Sequence, residues 1–236
     1  MSSYPQGVPA EIDVNEFPSI VSVLENAIAK YRDRPAFSNL GKTMTYGDID
    51  RLSEQFASYL LNVLKLKKGD RVALMMPNVL QYPIAIFGAL RAGLTVVNTN
   101  PLYTPRELKH QLDDSGASVL VVLENVAHTA AEVVAGTQVK QVIVTSIGEL
   151  LGFPKGPIVN FVIKYVKKMV PEFSLPGAID FRTALAQGAK HPMPAVTLRS
   201  SDIAFLQYTG GTTGVAKGAM LTHCNLVANM QQASPW

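Results

Sequence analysis

The sequence is short of several things, and each shortage narrows its reading. It has one cysteine, Cys224, so it can build no internal disulfide framework, and a reducing compartment suits it. Its four histidines, His110, His128, His191 and His223, are scattered without metal-ligand spacing. No run of five or six like charges occurs, and a net charge of +3 over 236 residues is too mild to argue for nucleic acid. No apolar run approaches the ~20 residues that a membrane-spanning helix needs. The first residues, "MSSYPQGVPAEIDVNEF", are polar and carry acids, unlike a secretory signal. The expected setting is cytoplasmic, with contact at a membrane surface left open.

What is present is material for a core. Apolar residues make up 47% and charged residues 17%, a globular balance that argues against disorder. Apolar positions Ile20, Val23, Leu24, Ala27 and Ile28 predict a helix from about Ser19. A hairpin is expected around Gly41, then a helix over 47–64. Residues 72–76 and the stretch "LTVVNTN" read as strands, with a helix over 79–92 between them that Gly93 stops. Thr104, Pro105 and Glu107 form a helix start: cap, first helical position and capping-box partner. Residues 118–123 and 141–146 are short β-branched runs separated by helical sequence around 125–135. Strands that are apolar throughout, alternating with helices, predict an α/β fold with a covered, mostly parallel sheet.

From 147 to 200 the rhythm breaks. Residues 157–170 read as a helix with Pro157 in its first turn and Pro171 as its stop. Its lysines suit either an anionic membrane surface or a helix packed on its own domain with the lysines in water. Residues 188–201 read as a linker. "DIAFLQYT" then reads as a buried strand running into the most unusual stretch of the chain, "QYTGGTTGVAKGAM" at 207–220.

Three Thr and four Gly fall between Thr209 and Gly218, around the single Lys217. Glycine lets a backbone approach a ligand closely, and its N–H groups, with hydroxyls from Thr209, Thr212 and Thr213, can donate to several phosphate oxygens. Lys217 adds a positive charge. The loop reads as built to hold an anion. It is not a Walker A loop, because Lys217 precedes Gly218 rather than a hydroxyl residue, and it is not G-x-G-x-x-G. "AMLTH" after it reads as another strand before a helix at "NLVANM", giving strand-loop-strand. Cys224, with only His223 as a basic neighbour, is read as a buried or semi-buried free thiol rather than a nucleophile.

"YTGGTTGVAKGAMLTHCN" resembles the phosphate-binding signature of the adenylate-forming ligases. With "NPLYTPRELKHQL" it resembles the bacterial long-chain fatty acid–CoA ligase branch, the first part of an acyl-CoA-synthetase-like adenylation domain. The resemblance runs from about residue 17 to the end. It implies fatty acid, ATP, Mg²⁺ and CoA as reactants, with Thr209, Gly210, Gly211, Thr212, Thr213, Gly214 and Lys217 at the ATP phosphates. Tyr208 and His223 are further candidates, His223 being expected near the active-site floor. No residue in the chain is assigned to catalysis. The resemblance also implies a longer whole: the Mg²⁺-binding Glu, the ribose-binding Asp and the lid with its catalytic Lys are not in this sequence. The chain is therefore expected to be an N-terminal portion, inactive alone and prone to self-association as a homodimer. Two alternatives stand beside it, a ligase for another acyl or aryl carboxylate and a non-catalytic binding or dimerising module.

Overall fold

A parallel sheet buried on both faces organises the chain. The computed structural model describes residues 11–210 and 216–234. Its central strands are β3 (Arg71–Met75), β4 (Thr95–Asn98), β5 (Val119–Leu123) and β6 (Gln141–Thr145), joined at one edge by the two-residue β7 (Ile179–Asp180). On the other side stand β8 (Ile203–Thr209) and β9 (Lys217–Thr222), giving the order β7-β6-β5-β3-β4-β8-β9. Every pairing is parallel except β8 with β9, which form an antiparallel hairpin. A separate hairpin, β1 (Pro35–Asn39) with β2 (Lys42–Thr45), turns at Leu40 and Gly41, both at positive φ.

Period-two alternation sorts the apolar strand residues into two cores. Val72, Leu74, Val96, Val119 and Val121 join one cluster with Phe56, Leu60, Ile84 and Phe181. Those last four come from α2 (Tyr46–Ser58) and the turn after it, α3 (Gln81–Arg91) and α7 (Phe181–Gly188). Ala73, Met75, Val97, Leu120 and Val122 join the other with Leu108, Leu112, Ala127 and Ala130, from α4 (Pro105–Ser115) and α5 (Ala127–Val133). β4 and β5 lie on opposite sides of β3, as in a doubly wound sheet. Burying both strand faces is why these runs are apolar throughout.

The cap expected at Thr104 is made: α4 starts on Thr104 with Glu107, Pro105 at its first position. α1 (Ile20–Tyr31) starts on a Ser19–Ser22 capping box. The helix expected over 47–64 changes at Tyr59 into a π turn that runs to Val63. β8 departs from expectation: only Ala204 and Tyr208 are buried. The strand neighbours β9, half of whose residues are exposed and none buried, so among the described residues one side of this hairpin has little packed against it.

The stretch expected as one helix over 157–170 is also different. α6 (Lys155–Phe161) passes into a π turn at Val162–Val166, and Lys168 takes a positive φ that ends it before Pro171. Residues 189–201 carry neither helix nor strand but are tied to the body. Ser58 Oγ donates to the carbonyls of Gly188 and His191, and Lys68 Nζ to that of Thr197.

The closest helix approach is α7 on α2. A Cβ at Gly188 would sit 1.9 Å from the Gln55 carbonyl oxygen, so no side chain fits without moving a helix. Gly188→Ala is expected to cost about 1–3 kcal/mol of stability. Urea unfolding against the parent checks it, and an unchanged midpoint would remove this contact from the account.

Candidate functional site

The strands deliver their carboxyl ends to one rim of the sheet, and a cleft of about 1020 Å³ opens there. Met76 lines it after β3, residues 98–101 and Tyr103 after β4, and Gln207, Tyr208 and Gly210 at the end of β8. This is where ligands bind in open α/β sheets. The wall is polar and internally bonded. Tyr82 donates its hydroxyl to Asn98 Oδ1 at 2.9 Å, and Asn98 Nδ2 donates to Gln207 Oε1 at 2.9 Å. Gln111 Nε2 donates to the Asn98 carbonyl at 2.9 Å, while its Oε1 is buried without a hydrogen-bond partner among the described residues. Burial pushes the Tyr82 phenol up, and burial with nearby Glu107 does the same to Tyr103, so both stay neutral donors at ordinary pH.

The Gly/Thr hairpin rises at the end of this cleft. Thr209 pairs with Lys217 as the last register of the β8–β9 ladder, so these two residues form its feet. Gly211, Thr212, Thr213 and Gly214 lie outside the described residues. Thr209, Gly210 and Lys217 are brought together, Thr209 and Lys217 both exposed.

Helix α4 grips the hairpin at both feet. His110 Nε2 lies 3.2 Å from the Ala216 carbonyl, which can only accept, so the proton sits on that nitrogen. One turn further along the same face, Asp114 Oδ2 accepts from the Tyr208 hydroxyl at 2.5 Å. Burial together with that bond to Asp114 holds the Tyr208 phenol far above its ordinary value, fixing it as a donor. Gly218, opposite Tyr208 in register, makes the arrangement possible: a Cβ there would lie 2.9 Å from Tyr208 Cε2 and 3.0 Å from Cζ. The Tyr208 ring lies across the space that a side chain would take.

Of the residues singled out from sequence, Tyr208 is therefore an anchor behind the loop. His223 is not at the cleft. Thr222 pairs with Ile203 at the opposite end of the hairpin, five residues and roughly 17 Å from Lys217 at strand spacing. His223 starts α8 (His223–Ala233) there, buried, with its backbone N–H on the Asp202 carbonyl and Nδ1 unpartnered among the described residues. His223 does not line the wall of this cleft. Cys224, half-buried beside it, is a free thiol.

The reading of sequence passed over His110 and Asp114. Their spacing of four on a capped helix was visible, but a partner 106 residues away in the chain was not. Among the described residues no group of three His, Cys, Asp or Glu side chains gathers to hold a metal.

A doubly wound sheet whose β8 runs into a Gly/Thr/Lys hairpin above a polar cleft is the fold of the adenylate-forming CoA ligases. A long-chain-fatty-acid–CoA ligase from Archaeoglobus fulgidus superposes with a TM-score of 0.73 at 26% identity, covering 98% of this chain and 42% of that one. An anthranilate CoA ligase bound to anthranoyl-AMP matches with a TM-score of 0.72 at 20% identity over 90% of this chain and 37% of its own, a likeness of fold alone.

The chain belongs to the AMP-binding enzyme family, which matches residues 24–236. A long-chain-fatty-acid–CoA ligase of Escherichia coli O6:H1 is 55% identical over 99% of the chain and 42% of its own length. One from Bacillus subtilis is 35% identical over 100% of the chain and 42% of its own length. The chain thus spans about two fifths of the length of the curated relatives it matches.

His223 sets a pH dependence with a definite sign. Burial holds its imidazole below the ordinary value, and Lys68 adds to that while Asp202 opposes it. A depressed folded value means the neutral form is favoured on folding. Its contribution is complete above about pH 6.5 and is lost as the pH falls through the lowered value. His223→Gln is expected to have a shallower loss of stability than the parent between about pH 7 and about pH 5. Urea midpoints at the two pH values check this, and parallel slopes would contradict it.

Proposed function

We propose that this chain is the N-terminal portion of an ATP-dependent long-chain fatty acid–CoA ligase. The observation that carries the reading is the 55% identity, over 99% of the chain, to relatives bearing that name. The cleft, with a Gly/Thr/Lys hairpin at its end, supports it from geometry. In the complete enzyme the fatty-acid carboxylate oxygen attacks the α-phosphorus of Mg·ATP. Pyrophosphate leaves and an acyl-adenylate forms. The thiol sulfur of CoA then attacks the acyl carbonyl, AMP departs, and the thiol proton passes to solvent.

Mg²⁺ enters as part of the nucleotide substrate, and no step is assigned to it through side chains of this portion. Thr209, Gly210, Gly211, Thr212, Thr213, Gly214 and Lys217 would receive the β- and γ-phosphates, neutralising the charge that gathers as pyrophosphate leaves. His110 and Asp114 would act on the reaction through the hairpin rather than by contact. The adenine, ribose and acyl sites, and the lid, fall to the remainder of the protein, so this portion alone completes neither half-reaction. We place the working protein in the cytoplasm, at the inner face of the membrane.

Lys217→Ala in the complete ligase is expected to slow adenylate formation at least ten-fold, since a desolvated charged hydrogen bond is worth about 1.5–3 kcal/mol. Fatty-acid affinity should change far less. Fatty-acid-dependent pyrophosphate–ATP exchange measures the first, and equal exchange rates in variant and parent would sink the assignment of the loop.

A further inference from the structure

Helix α6 and the turn after it bury only part of their apolar surface. Val159 packs against the core, Val162 and Ile163 are half-buried, and the closest approach to the body is small and polar. Gly156 is buried against Gly148, so closely that a Cβ on either would lie 2.4 Å from the other's carbonyl oxygen. Asn160 points the same way, Oδ1 accepting from the Gly148 N–H at 2.7 Å and Nδ2 donating to Ser146 Oγ at 2.8 Å. A helix whose closest approach is made by a glycine and an asparagine leaves several of its large side chains uncovered.

It sends them to solvent. Ile158, Phe161, Tyr165, Val166 and Met169 recur at helical spacing and are more than half exposed, and Phe153, in the turn before the helix, is 92% exposed. Phe161 and Tyr165 pack against each other as tilted rings with centroids 5.2 Å apart. Exposed aromatic and aliphatic groups gathered in one place mark an interaction surface.

The charges around them identify the kind of surface. Residues 153–173 contain four lysines and one glutamate, Glu172. Lys155 is held by the Leu40 carbonyl, but Lys164, Lys167 and Lys168 are exposed, Lys164 lying 5.7 Å from the Tyr165 ring centroid. The half-buried Glu124 lies close enough to feel Lys164. Aromatic and aliphatic side chains that enter a headgroup region, rimmed by lysines that meet phosphate, match an anionic bilayer. α6 follows β6 at one side of the sheet, whereas the Gly/Thr/Lys hairpin stands on the other, so the two surfaces can be engaged together.

We propose that the α6 face, centred on Phe161 and Tyr165 and rimmed by Lys164, Lys167 and Lys168, docks the protein on an anionic phospholipid surface. This deepens the membrane placement given above but is independent of the ligase chemistry, because vesicle binding and adenylate formation are read separately.

Co-sedimentation with vesicles of phosphatidylcholine alone, and of phosphatidylcholine and phosphatidylglycerol in equal parts, tests it. The parent protein should bind only the second kind, and less as salt is raised. Each lysine near such a surface contributes about five-fold, so replacing Lys164, Lys167 and Lys168 by Gln should lower partitioning by about a hundred-fold. Phe161→Ser with Tyr165→Ser should also abolish binding. All five side chains are exposed, so thermal melts of both variants should match the parent. No preference for anionic vesicles, or binding that neither variant weakens, overturns the proposal. A dimer in solution that Phe161→Ser dissolves, without vesicle binding by the parent, also overturns it in favour of a second copy on this face.

Discussion

Two side chains one turn apart on α4 hold both feet of the Gly/Thr hairpin, and the site depends on that grip. A glycine-rich loop has little of its own to fix where it stands, since glycine contributes freedom rather than contact. Here the position is set from behind. Asp114 takes the Tyr208 hydroxyl, His110 meets the Ala216 carbonyl, and Gly218 leaves the room that the Tyr208 ring occupies. The loop can be rich in glycine because the residues beside it are not free.

The grip in turn needs α4 to be rigid. Its capping box closes the first turn, and Leu108 and Leu112 bury its inner face against β3 and β5 side chains. The same helix supplies Gln111 to the cleft wall, so one element joins core, cleft and hairpin. Local sequence, packing and site geometry therefore converge on residues 104–115. At the far end of the hairpin, burial favours the neutral form of His223.

Much of this was legible beforehand, for local reasons. Thr104-Pro105 with Glu107 announces a helix start within four residues, and β-branched runs such as 118–123 announce strands covered on both faces. The strands expected before and after the Gly/Thr stretch are both present, the second starting already at Lys217. What stayed hidden depends on distant partners. Gly218 looked like loop flexibility, but its function is set by the Tyr208 ring across the ladder. His110 was one of four scattered histidines because its partner Ala216 is remote in sequence. Asn160 turns inward because Gly148 and Gly156 let two backbones touch. Phe161 and Tyr165, away from that seam, stay in solvent.

The grip of α4 is tested most directly by calorimetric titration of Mg·ATP into the complete ligase and into its His110→Ala, Tyr208→Phe double variant. Neither substitution touches the nucleotide in this account, and each removes one bond worth about 1 kcal/mol from behind the loop. The account expects the parent to bind and the variant to bind at least ten-fold more weakly, while its far-ultraviolet spectrum stays that of the parent. Equal affinities, or no binding by the parent, would contradict it.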